Sequence, residues 1–304
     1  MASPVQLTVL LTGLLPGKSG KTAVALGLIE GLRRRGVKVG YFKPISIFDY
    51  YEDYVAVEAS LDLGLPVPPE VLSLMEVGFK FDDPCLINPV SVLTAPLKPD
   101  TFIEARAPAS YFSYAANTFR RAALVRAVVF DPVRTVLAYV NNWAISRNLL
   151  RIDYDQLDKL TKRSDHVVKV DMLGSLIETY ERISVQALKT AYPKALSRHR
   201  VVVVEGVGNT AWPLPPDAEA WVVMAVTHGT VLVYDGKRYK TAVSLKTGGS
   251  ITYLRRLTTA DVFTLLTPSH VVRTPPLHPF EPIESRADKL AGLTDIIVSY
   301  LERE

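Results

Sequence analysis

The dipeptide Lys21-Thr22 closes a glycine-rich run, Gly13-Leu14-Leu15-Pro16-Gly17-Lys18-Ser19-Gly20, and its flanks are those a phosphate-binding loop needs. Gln6 to Leu11 reads as a short apolar strand, and Ala23, Val24, Leu28 and Leu32 recur at helical spacing. A glycine-rich turn from strand to helix gathers backbone N–H groups and the positive end of the helix dipole around one point, which attracts a polyphosphate. Lys21 would reach the β- and γ-phosphates as a compact cation, and the Thr22 hydroxyl would hold Mg2+. The spacing departs from G-x-x-x-x-G-K-[ST], because Leu15 stands where the first glycine belongs. The loop is therefore either longer, opening at Gly13, or closed by Gly17. Its nucleotide-contacting residues are Gly13, Gly17, Lys18, Ser19, Gly20, Lys21 and Thr22.

A magnesium triphosphate needs a carboxylate besides the threonine, usually from the carboxyl end of a neighbouring strand. Glu205 stands there, after Val201-Val202-Val203-Val204 and before Gly206-Val207-Gly208, whose glycines let backbone pass close to a ligand. A capping or salt-bridged acid is the alternative. Lys43, at the end of the strand after the loop, is the next candidate, since a cation there would neutralise a transferring phosphoryl group, and Lys21, Lys43 and Glu205 make up the catalytic set. The alternative is a solvent-exposed lysine.

These residues need a sheet to hold them. Strand, loop, helix and a second strand over Val37 to Phe42 form a right-handed βαβ unit with parallel strands, ended by Lys43-Pro44. Tyr51 to Leu63 reads as a helix, and the proline-rich Leu65 to Asp100 as irregular loop. From Thr101 to about Lys162, Leu124 and Val128, then Val136, Tyr139, Val140 and Trp143, repeat at helical spacing, giving a helical insertion over 101–163. Tyr111, Phe112, Tyr114 and Phe119 beside Arg120, Arg121 and Arg126 read as a packing face with snorkelling arginines. His166 to Asp171 is a strand, Leu173 to Tyr192 a helix, and Arg200 to Glu205 a strand buried on both faces. Trp221 to Val226, Thr230 to Tyr234 and Tyr239 to Leu245, separated by Thr-His-Gly-Thr and Asp-Gly, predict an antiparallel β-meander over 218–248. Asp261 to Leu266 and His270 to Arg273 are further strand candidates, and Pro282 to Glu302 a closing amphipathic helix. The expectation is one α/β domain over 1–304.

At 304 residues, 48% hydrophobic and 22% charged, the composition is that of a globular protein. The net charge is +4, yet the one tight basic run, Arg33-Arg34-Arg35, falls in a last helical turn before a Gly36 cap, where cations complement the dipole. Nucleic acid is not an expected partner. A lone Cys85 excludes an internal disulfide, and the five histidines lack ligand spacing, which argues against a structural metal. The N-terminus lacks a signal-peptide pattern and no stretch is long enough to span a bilayer, so the reading is cytoplasmic, with no membrane partner. Sparse Gln, Cys and Met fit a thermophile.

Ser19-Gly20-Lys21-Thr22-Ala23-Val24-Ala25-Leu26-Gly27-Leu28, followed by Arg35-Gly36-Val37-Lys38-Val39-Gly40-Tyr41-Phe42-Lys43-Pro44-Ile45, resembles the start of the dethiobiotin synthetase-like P-loop proteins. That group includes cobyrinic acid amidases and the N-terminal domain of long bacterial phosphotransacetylases. Val203-Val204-Glu205-Gly206-Val207-Gly208 is similar to their second signature, and Leu86-Ile87-Asn88-Pro89 with Ala95-Pro96 resembles a loop between the two. The resemblance implies a three-layer P-loop NTPase fold with a mostly parallel sheet. It also implies ATP and Mg2+ as cofactors, a carboxylate or carbamate acceptor, and a homodimer across the active site. Magnesium would be held by Thr22, Glu205 and an Asp after the second strand, taken as Asp53 with Asp49 as fallback, while Lys43 would contact phosphate and acceptor. The loop is one residue longer than in dethiobiotin synthetase, and Pro16 stands where related signature-lysine ATPases place a lysine, with Lys18 as its substitute. After Glu205 the chain departs from the family's parallel strands. An ATP-dependent regulatory switch with slow turnover is the alternative to an ATP-dependent phosphoryl-transfer enzyme.

Overall fold

The computed structural model describes residues 6–79, 83–248, 257–278 and 281–302. Its strands are β1 (Leu7–Gly13), β2 (Val39–Phe42), β3 (Ile45–Asp49), β4 (Val90–Thr94), β5 (Ala122–Phe130), β6 (Arg134–Val140), β7 (His166–Lys169), β8 (Val201–Glu205), β9 (Val222–Thr227), β10 (Thr230–Asp235) and β11 (His270–Arg273). They form two sheets, and the chain divides into two compact units where the sequence suggests one domain. The architecture is α/β with two mixed sheets. No described helix is long and apolar enough to cross a membrane.

The first unit comprises Met1–Pro44, Val77–Phe81 and Tyr192–Glu304. Its sheet has the order β11-β10-β9-β1-β8-β2. β1 lies parallel between β8 and β9, β2 runs parallel to β8, and β10 and β11 turn antiparallel beyond β9. Both faces of β1 and β8 are buried, which is why their sequences carry no alternation. The helix Lys21–Arg34 begins directly after the glycine-rich run and ends in Arg33 and Arg34, with Gly36 at φ 72° beyond it, as the basic run predicts. It packs against the C-terminal helices Ile283–Lys289 and Ala291–Leu301 through its glycines. A Cβ on Gly27 would come within 2.7 Å of Leu290 Cδ1, and one on Gly31 within 2.6 Å of Thr294 Oγ1. Arg34 bonds Asp288 at 2.7 Å on the same seam.

The meander is present but differs in its third strand. β9 and β10 form the expected hairpin about Gly229, whose φ is 73°, yet β10 pairs next with β11. Tyr239 to Leu245 lies in a helix, Gly236–Thr247, not a strand. Asp235 caps that helix, accepting from Arg238 N at 2.9 Å. Gly236 is there for space, since a Cβ would fall 1.8 Å from Ala220 O. Asp261 to Leu266 likewise contributes to a short helix, Thr259–Phe263, whose capping box pairs Thr258 with Asp261.

The second unit comprises Ile45–Glu76 and Asp82–Ala191, with sheet order β3-β4-β5-β6-β7. β3 with β4 and β6 with β7 are parallel, while β4, β5 and β6 run antiparallel in turn. The helical insertion over 101–163 is corrected here: only short helices, such as Pro99–Glu104, Pro108–Ala115 and Tyr154–Lys159, flank the long β5–β6 hairpin. The expected loop over Leu65 to Asp100 also contains a helix, Pro69–Glu76, and β4. One sheet face packs Phe48, Leu93, Leu124 and Val140 against those helices; the other packs Val92 and Val125 against Leu176 of the helix Leu173–Ser197. The aromatic-basic segment is a packing face, with Arg120 over the Tyr114 ring at 4.0 Å and Tyr114 stacked on Trp143. Arg126 does not snorkel. It is buried on β5, donating through Nη2 to Asn88 O, Asn88 Oδ1 and Ser91 Oγ at 2.7–2.8 Å, while Nε and Nη1 have no partner.

Candidate functional site

Three neighbouring parallel strands of the first unit end at one sheet edge: β1 in the glycine-rich loop, β8 in Glu205, and β2 just before Lys43. Leu14 N donates to Val226 O at 3.0 Å, which ties the start of the loop to β9. Residues 15–18, Lys18 included, are exposed; Ser19 is buried, and Gly20 enters the helix in the left-handed region at φ 85°. No side chain caps this helix and no acid of its own occupies its first turn; the carboxylate nearest its first turn comes from another strand, Glu205, 2.9 Å from Thr22 Oγ1. Gly13, not Gly17, is the glycine the loop requires. A Cβ there would lie 2.6 Å from Gly208 O and 2.9 Å from Ser19 Oγ, whereas one on Gly17 would meet nothing within 4 Å.

Lys21 is buried and folds along its own loop. Its Nζ donates to Gly208 O at 2.8 Å and to Ser19 Oγ at 3.2 Å. Gly208 sits at φ 53°, a conformation that suits glycine. Thr12 Oγ1 donates to Thr210 O at 2.7 Å, so β1 also holds the segment after Glu205.

Glu205 is 2% exposed and collects three donors, two from β2 and the residue after it and one from the first helix. Lys43 Nζ lies 2.8 Å from Oε1, Thr22 Oγ1 donates to the same oxygen at 2.9 Å, and Tyr41 OH donates to Oε2 at 2.9 Å. Burial alone would push this carboxyl up, but Lys43, then Lys21 and the Tyr41 hydroxyl outweigh it and hold the group below the usual carboxylate range. Lys43 is as buried as its partner. This is a buried ion pair, whose desolvation cost offsets much of its mutual attraction.

Thr22 Oγ1 and Glu205 Oε1, joined by the 2.9 Å hydrogen bond, are oxygens of the hard type that Mg2+ takes, and Lys43 Nζ already lies on the same carboxylate oxygen. Among the described residues no group of three or more His, Cys, Asp or Glu side chains is arranged to hold a metal. Asp53 and Asp49 belong to the second unit, where both serve the turn after β3. Asp53 Oδ2 accepts from Asp49 N at 2.8 Å; Asp49 accepts from Tyr51 N at 3.0 Å and from Thr94 Oγ1 at 2.9 Å. Tyr41 is a site residue that the sequence motifs do not reveal. Its one signal is its position two residues before Lys43, which puts both side chains on one face of the chain.

Comparison with protein-family models, with curated proteins and with solved structures finds no match.

Proposed function

We propose that this chain is a P-loop protein that binds Mg-ATP at the carboxyl edge of β1, β8 and β2 and transfers the γ-phosphoryl group to a carboxylate- or carbamate-type acceptor. The observation that carries this reading is the convergence of Lys21, Thr22, Lys43 and Glu205 at one sheet edge, with Glu205 buried among three donors. Lys21 exchanges the Gly208 carbonyl for phosphate oxygens, and the uncapped helix beginning at Lys21 adds backbone donors. Thr22 and Glu205 would hold Mg2+, which would supply neutralisation of the phosphate charge. Lys43, beside Glu205, stabilises the transferring group. An acceptor oxygen attacks the γ-phosphorus, the bond to the bridging oxygen breaks, and ADP and an acyl phosphate form.

Calorimetry with Mg-ATP tests the binding. One site per chain is expected, with Lys21→Ala weakening it by about 100-fold, the value of one or two charged hydrogen bonds. Absence of binding to the unaltered chain removes the reading. The hold of Gly208 O on Lys21 also favours a second reading, an ATP-driven switch, in which nucleotide takes Lys21 from Gly208 and the loop after Glu205 shifts in response. That reading expects slow turnover and an oligomeric state that changes with Mg-ATP. A homodimer unchanged by nucleotide would leave only the enzyme.

A further inference from the structure

A cavity of about 500 Å³ opens in the first unit beside β2, away from the residues of the Glu205 cluster except for one shared wall. Ile29 and Arg33 of the first helix, Val37 to Tyr41, the Gly78-Phe79 segment and His199 surround it. Its chemistry is one-sided. Lys38 is a cation, as is Arg33, which is also paired with Glu30 at 3.4 Å; His199 adds an imidazole, and no carboxylate is among the described residues lining it. The remaining walls are apolar or glycine. Arg33 lies over the Phe79 ring at 4.7 Å, which sets a cation at one side of the cavity. His199 is held by Ala195 O, 3.0 Å from Nδ1, and fits against β2 only because residue 40 is glycine: a Cβ there would lie 2.5 Å from Nδ1.

We propose that this cavity is a binding site for a small amphipathic anion, a phosphate or carboxylate head carried on a flat apolar body. The head meets Arg33 and Lys38, and the body lies against Phe79, Ile29 and the glycine-lined backbone. The size falls within that of small-molecule pockets, and a bare anion would leave the apolar walls unused. Tyr41 is the shared wall, since it lines the cavity and donates through its hydroxyl to Glu205.

The test is calorimetric titration of the nucleotide-free chain with phenyl phosphate, benzoate and inorganic phosphate. Saturable one-to-one binding of phenyl phosphate or benzoate is expected, at least tenfold tighter than inorganic phosphate. The double variant Arg33→Ala, Lys38→Ala, altered at exposed positions, loses at least tenfold, whereas Lys21→Ala binds as the parent does. In the unaltered chain the amide signals of Gly36, Gly40 and Gly78 shift on titration. Phenyl phosphate binding that falls with Lys21→Ala and not with the double variant places the anion in the glycine-rich loop and overturns the proposal. So does inorganic phosphate binding as tightly as phenyl phosphate, or no saturable binding at all.

Discussion

Replacing Lys43 by Met keeps the length and apolar stem of the side chain but strips Glu205 of its cation. The two groups are each 2% exposed and 2.8 Å apart, so water cannot take the place of the ammonium. Breaking one side of such a pair costs about 3–5 kcal/mol, because the charge left behind stays buried. For a unit of this size about 1 kcal/mol moves the melting midpoint by 2–4 °C, so Lys43→Met is expected to lower it by roughly 6–20 °C. Adding Glu205→Gln removes the stranded charge while keeping acceptor and shape, and the double variant should recover most of the loss. Urea unfolding at neutral pH, run as a double-mutant cycle, measures this. The pH dependence supplies a second check. Glu205 has its folded pKa below its unfolded value, so its contribution is complete above the unfolded value and is lost as pH falls through the folded one. Glu205→Gln should abolish that acid limb. A cost below about 1 kcal/mol for Lys43→Met, or a double variant no more stable than the single, refutes the reasoning from burial and pairing.

Gly13→Ala forces a Cβ to 2.6 Å from Gly208 O, so it should cost about 1–3 kcal/mol and abolish Mg-ATP binding, while Gly17→Ala, in open space, changes stability by less than about 0.5 kcal/mol; thermal melts and calorimetry separate them. Thr22→Ala removes a donor to Glu205 Oε1 and should erase the magnesium dependence of ATP affinity, which Thr22→Ser restores. Arg126→Met removes three donations through Nη2 to Asn88 and Ser91 and should lower stability by about 1–3 kcal/mol, read as a lower unfolding midpoint in a differential scan. Gly31→Leu drives a side chain into Thr294 and should loosen the C-terminal helix, seen as faster amide exchange over Ala291–Leu301.

The candidate site was legible because its residues are adjacent in short motifs whose flanks are unambiguous. Four valines in a row suit a strand buried on both faces, so the acid that follows them falls at its carboxyl end, and Lys43-Pro44 ends β2 where expected. The second sheet was not legible. Ala122 to Phe130 is buried on both faces almost throughout, so Leu124 and Val128 satisfy a helical repeat as well as a strand. Arg126 pushed the reading further toward an amphipathic helix, because a fully buried arginine without a direct ion pair is not what composition suggests. Asp235-Gly236 misled for a related reason. An Asp before a Gly suits both a hairpin and a helix cap, and what decided it was Ala220, a residue remote from the cap's own turn whose carbonyl leaves no room for a side chain.

The Gly208 carbonyl stands at the centre of the resting loop. Lys21 leans on it, Gly13 lacks a side chain because of it, and it belongs to the segment that β1 holds through Thr12 and Thr210. Any anion that recruits Lys21 must therefore outcompete a neutral backbone dipole. The Gly208 carbonyl, three residues past Glu205, would then lose a donor, so part of the cost of engaging Lys21 falls on the segment that follows the carboxylate.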